Sequence, residues 1–156
     1  MNIIINATQH SATPEQLEAG VCASNYEAKL REWLTFDSMP SRLEIQQHAQ
    51  FIAGYVVDQA MEIINSADFD EDHHKALQQL TRMPACRETI CKSFRIKCMI
   101  GGAPYLMAEL EKELWRLGIE PVYAFSRRES VETVGENGEV TKTAVFKHIG
   151  FVSAIQ

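Results

Sequence analysis

The sequence contains no apolar run approaching the roughly 20 residues that a membrane-spanning helix requires. It has no excess of positive charge either: fifteen Lys and Arg stand against twenty-one Asp and Glu, a formal net charge of −6. Coating long nucleic acid depends on neutralising many phosphates, so that role is disfavoured, whereas a small anion held by a local basic patch is compatible with the balance. The common nucleotide signatures are missing. GGAPYLMA has no third glycine to complete G-x-G-x-x-G, and no G-x-x-x-x-G-K-[ST] occurs, so neither a dinucleotide-binding turn nor a P-loop is expected. The four cysteines, Cys22, Cys86, Cys91 and Cys98, match no zinc spacing and read as small buried apolar residues, kept reduced inside a cell. The amino terminus, MNIIINATQH, has no basic stretch and only three isoleucines, which predicts a strand, no signal peptide and residence in the cytoplasm. No internal repeat or low-complexity tract is present.

A length of 156 residues suits one domain, taken here as 1–156. Strand one is expected at Ile3–Asn6, followed by the polar turn Thr8-Gln9-His10-Ser11. Thr13, Pro14 and Gln16 then have the spacing of a helix start with a capping box. Tyr26–Phe36 fits a strand or a short helix. From Arg42 to Asn65 the apolar residues Ile45, Ala49, Ile52, Val56, Ala60 and Ile63 recur every three or four positions, which predicts a long helix with one apolar face. Residues 66–93 change character and are read as a helical insertion: SADFDEDHH is acidic, KALQQLTRM suits one short helix, and Pro84 is expected to end it. Phe94–Ile100 is a second parallel-type strand. Gly101-Gly102 turns the chain into a helix that starts at Pro104, runs to Leu117 and is capped by Gly118. PVYAF is a third strand. Asn137-Gly138 between SVETV and VTKTAVF signals a β-hairpin. A two-residue type I′ turn there would set Arg127 opposite His148 and Arg128 opposite Lys147. The expected fold is α/β, a Rossmann-like, largely parallel sheet flanked by helices with a C-terminal β-hairpin.

Strand-turn-helix units place their turns side by side at the carboxyl edge of a sheet, where ligands bind in open α/β folds. Three groups converge there: Thr8 to Ser11, Gly101-Gly102, and Arg127-Arg128 with His148. Free N–H groups and the positive end of a helix dipole favour a phosphate or carboxylate at the Gly-Gly turn. Each group also has a plain reading, as a tight connection, a solvated strand end or a surface imidazole. Asp68, Asp70, Glu71, Asp72, His73 and His74 invite a metal reading. His73 and His74 diverge on a helix, however, and acidic residues at a helix start answer the dipole, so no metal and no cofactor is expected. Trp33 and Trp115 read as core or interface aromatics.

GIEPVYAFSRRESVETVGENGEVTKTAVFKHIGFV resembles the C-terminal block of small CRISPR-associated proteins with a Rossmann-like, CARF-related fold, and NATQHSATPEQLEAGV is similar to that family's first strand, loop and helix start. The likeness covers both ends of the chain, about half of it. It implies a part in type III CRISPR signalling, as a protein that binds a cyclic oligoadenylate messenger or cleaves it without metal as a ring nuclease. Carried over, it implicates Ser126, Arg127, Arg128 and Glu129, Phe146 and His148, and Thr8 and His10. His10, His148 and Arg127 are the expected catalytic groups. Thr8, Gln9, Ser11, Gly101, Gly102, Ser126, Arg128 and Glu129 are the expected binding groups. A ring with rotational symmetry also suits a twofold homodimer. The other reading is a non-catalytic mobile-element or phage protein that binds another phosphorylated ligand or a protein partner.

Overall fold

The computed structural model describes residues 3–22, 27–67, 71–134, 137 and 139–154. In chain order the elements are β1 (Ile4–Ala7), α1 (Pro14–Glu18), β2 (Val21–Cys22), α2 (Glu27–Leu34), α3 (Arg42–Ser66), α4 (Glu71–Thr81), α5 (Pro84–Ser93), β3 (Lys97–Ile100), α6 (Pro104–Arg116), β4 (Glu120–Val134) and β5 (Val140–Ser153). The strands form one sheet in the order β2-β1-β3-β4-β5. β2, β1, β3 and β4 run parallel, and β5 pairs antiparallel with β4.

That arrangement corrects the expectation of a largely parallel sheet. Thirteen antiparallel residue pairs join β4 to β5, against nine in the three parallel pairings together, so the sheet is mixed. PVYAF and SVETV are not separate segments but one continuous strand. Among the described residues no helix is long and apolar enough to cross a membrane.

Local sequence explains most helix starts. Thr13 accepts from the Gln16 amide at 3.3 Å while the Gln16 side chain accepts from the Thr13 amide at 3.0 Å, and Ser41 and Glu44 repeat the exchange at α3. Each box satisfies N–H groups that a helix start leaves open. Of Tyr26–Phe36, Glu27–Leu34 form the helix α2, and Tyr26 lies outside the described residues. Pro84 does not end a helix but begins one: it stands in the first turn of α5, where its missing N–H costs nothing. The strand after it is shorter than expected, because Phe94 caps α5 and Arg95 has φ 51°. Gly118, at φ 75°, follows the cap of α6 in the left-handed region that suits glycine.

Two apolar layers hold the sheet. On one face Ile3, Ile5, Ala7, Cys98 and Ile100 pack with Ala49, Ile52, Ala53, Val56, Ala60 and Ile64 of α3 and with Leu106, Leu110 and Leu114 of α6. On the other, Ile4, Val21, Met99 and Val122 form a smaller cluster with Ala12 and Phe151 against it. α4 and α5 are tied to α3: Ile90 and Cys91 join the core, Arg87 pairs with Asp58 at 2.6 Å, and Asn65 bonds Thr81 at 3.1 Å. Burial raises the Cys91 thiol to about 11 and pushes Cys98 further up, as suits cysteines that serve as packing.

The ribbon register also differs from expectation. From Ser126 to Val134 each pair is offset by one residue from a two-residue turn, so Ser126 opposes His148, Arg127 opposes Lys147 and Arg128 opposes Phe146. Five residues, 135–139, separate the paired ends, and 135, 136 and 138 lie outside the described residues. The offset is absorbed at the base, where a bulge between Phe125 and Ser126 gives β5 one extra residue. Because side chains alternate across a strand, a one-residue slip exchanges faces. Ser126, Arg128, Phe146 and His148 share the face of α1, and Arg127, Glu129 and Lys147 lie on the other.

Candidate functional site at the carboxyl edge of the sheet

β1 is followed by β2 on one side and β3 on the other, so the connections leave the carboxyl ends of β1 and β3 in opposite directions and open a crevice between them. The crevice is a cleft of about 400 Å³. Thr8, Gln9, His10 and Ser11 line one side, Gly101 and Gly102 the other, with the cap Thr13 and Gln16 of α1, Met99 and Ile100 of β3, and Tyr123 and Ala124 of β4 completing it. Six of the predicted site residues therefore meet in one place. Ser126, Arg127, Arg128, Glu129 and His148 are not among its lining residues. They stand further along the ribbon, Ser126 and Arg128 continuing the row that Ala124 begins.

The loop after β1 is held by a residue that the sequence reading left in the strand. Asn6, 3% exposed, donates from Nδ2 to the His10 carbonyl at 2.8 Å and accepts at Oδ1 from the Thr8 amide at 3.0 Å and the Thr8 hydroxyl at 2.8 Å. The His10 amide donates to Thr8 Oγ1 at 3.3 Å. Asparagine readily bonds the backbone two residues on, so Asn6-Ala7-Thr8 was the available signal. Tyr123 was missed too: its hydroxyl donates to Glu111 Oε1 at 2.6 Å. Burial, and then the adjacent Glu111 carboxylate, hold the Tyr123 phenol well above its usual range, so it stays a neutral donor.

Gly101 and Gly102 need no left-handed backbone, since neither has a positive φ. What they provide is space. A Cβ on Gly101 would lie 3.7 Å from Thr8 Cγ2, and one on Gly102 would lie 3.3 Å from the flexible end of Met107. The turn leads into α6, whose N-cap, Ala103, has no side chain able to cap it. No side chain among the described residues accepts from the first amides of α6, Leu106 and Met107 both donate to the Ala103 carbonyl at 3.0 Å, and the cleft's lining on this side ends at Gly102.

On the face of α1, both ring nitrogens of His148 are buried without a hydrogen-bond partner among the described residues, and the ring centre lies 4.7 Å from that of Phe151. Glu15 of α1 is nearby. Its own backbone amide and the Thr13 hydroxyl hold its carboxyl below the usual range, and His148 and Lys147 add to this through their charge. Of the acidic run, where no metal is expected, Asp68 and Asp70 lie outside the described residues, as do the side chains of Glu71 to His74.

Fold and cleft together define an α/β protein with a preformed crevice at the carboxyl ends of adjacent parallel strands. The Uncharacterized protein MJ1673 family model matches residues 66–152, more than half of the chain, and the chain belongs to that family. The match starts at the acidic segment and includes Gly101-Gly102 and Ser126–Glu129, but not the loop 8–11. No curated protein and no solved structure matches the chain.

Proposed function

We propose that this protein binds a small phosphorylated ligand of the cyclic oligoadenylate class at the carboxyl edge of its sheet, in the cytoplasm and as a twofold homodimer. The observation that carries the reading is the meeting of the Thr8–Ser11 loop and the Gly101-Gly102 turn, which leads into α6, around one cleft at the point where the chain connections diverge. Such points favour nucleotide ligands in open α/β sheets, and helix starts favour phosphate. The same order of strands is the reason to read the core as Rossmann-like and CARF-related. A ligand too large for the cleft would extend past Ala124 along the row of Ser126, His148 and Arg128. Arg128, rather than Arg127, is then the arginine on the ligand's side.

Cleavage at this edge would proceed by attack of a ribose 2′-oxygen on the adjacent phosphorus, forming a 2′,3′-cyclic phosphate as the bond to the 5′-oxygen breaks. The 2′-hydroxyl proton goes to a base, and the leaving oxygen takes a proton from His10 or His148. A second reading, non-catalytic binding of another ligand or of a protein partner, has its own support: no Lys or Arg is among the cleft's lining residues.

Calorimetric titration with cyclic tetra-adenylate, followed by chromatography of the mixture, tests both. The expected result is saturable binding that falls about ten- to a hundredfold in Arg128→Ala, the loss of a charge-assisted phosphate bond, and falls in Gly102→Val with the fold intact by circular dichroism. Unchanged affinity in both variants moves the ligand away from this edge, and no binding at all leaves the second reading.

A further inference from the structure

A larger cavity, about 660 Å³, lies away from the sheet edge between α2, α3 and the turn joining α4 to α5. One wall is aromatic: the ring of Trp33 lies 6.0 Å from Phe51 and 6.4 Å from Tyr55, centre to centre, and Phe51 is 55% exposed. The other wall is polar and already braced. Arg87 holds Asp58 and donates from Nε to the Thr81 carbonyl at 3.3 Å, and Asn65 bonds Thr81. Between the walls is Gly54, twelve residues from each end of α3. A glycine in mid-helix weakens it relative to alanine. Here no neighbour requires the sacrifice, because a Cβ on Gly54 would meet nothing within 4 Å. A bare helix surface beside a half-exposed aromatic ring is what a flat molecule needs for close approach. Arg82, exposed at the rim, has no ion pair or hydrogen bond among the described residues.

We infer that this cavity is a second binding site, for a flat heteroaromatic ring bearing an acidic group. The ring lies over Gly54 against Phe51 and Trp33, and the acid reaches Arg82. Rings stack on aromatic side chains with little regard to their identity, and a guanidinium binds phosphate or carboxylate in a two-pronged grip. A nucleotide and an aromatic carboxylate share this chemistry. The site does not depend on the reading given to the sheet edge.

The chain has two tryptophans, so Trp115→Phe leaves Trp33 as the one fluorescent reporter. That variant would be titrated with AMP, nicotinate, adenosine and ribose 5-phosphate. Saturable change with AMP or nicotinate is expected, the two arms separating the phosphate from the carboxylate source. Adenosine, lacking the acid, should bind about tenfold more weakly than AMP, and ribose 5-phosphate should give no response. Gly54→Leu should abolish the change while raising the thermal midpoint, since it fills the cavity and improves the helix. Arg82→Gln should reduce AMP to the level of adenosine and leave adenosine as it was. The proposal is overturned by no response to either acidic ring at millimolar concentration, by a response that survives Gly54→Leu, or by ribose 5-phosphate acting as strongly as AMP. Gly102→Val must leave the signal in place; its loss there would put the ring at the sheet edge instead.

Discussion

β1 is buried at each of its four residues and β3 at Cys98, Met99 and Ile100, whereas no residue of β4 from Ala124 onward is buried and none of β5 is. The two regions belong to one sheet but are stabilised differently. The parallel strands are covered on both faces and are accordingly written as mostly apolar runs, with Asn6 in β1 and Lys97 at the start of β3 as the polar exceptions. From Ser126 to Val134 the ribbon extends roughly 27 Å with two open faces. Its support comes from cross-strand pairs such as Val134 with Val140 and Thr133 with Thr141, and from a Lys142–Glu132 ion pair at 2.8 Å. A two-stranded ribbon is marginal by itself, and Phe146, Val131, Val134, Val140 and Val145, all 42% exposed or more, add only partial burial. The stability of this molecule therefore resides in the layer of α3 and α6 on the parallel strands.

The contrast can be tested by substitution. Ile52→Ala, at a fully buried position between α3 and the sheet, should cost about 2–5 kcal/mol in denaturant unfolding; a loss below 1 would mean that the body is not the stable unit. Gly118→Ala should cost about 1–3 kcal/mol. There a methyl group would have to fit φ 75° and lie 2.7 Å from Lys92 Cγ and 2.8 Å from the Glu88 carbonyl oxygen. On the ribbon, Glu132→Ala removes an exposed ion pair and should change unfolding by no more than about 0.5 kcal/mol, less still at high salt. A larger effect would show the ribbon to be coupled to the core.

Much of the body was legible from periodicity and caps. The spacing of Ile45, Ala49, Ile52, Val56 and Ala60 announces the buried face of α3, although Ile45 and Ile63 are only partly buried. The errors have physical causes. Pro84 is ambiguous because proline both stops a helix and suits the first turn of the next, and only the packing of Ile90 and Cys91 decides between them. Asn137-Gly138 signals a hairpin correctly but does not state how many residues the loop spans. One residue of difference moved His148 from Arg127 to Ser126 and separated two residues that had been grouped. At the cleft, the polar loop and the two glycines could be named in advance. Asn6 had a local signal in Asn6-Ala7-Thr8, but Tyr123 could not be assigned from local pattern, because its partner, Glu111, is on α6.

What the sequence determines by itself is local: strand-turn-helix order, capping boxes at Thr13 and Ser41, and the glycine that ends α6. These depend on neighbours a few residues away. Tertiary structure alone decides that the loop 8–11 and Gly101-Gly102 share a cleft, that the sheet is mixed, and which face of the ribbon each arginine takes. Such outcomes depend on strand order and register, set by the competition of distant segments for the same sheet edge and core, and a one-residue shift in pairing is enough to reverse them.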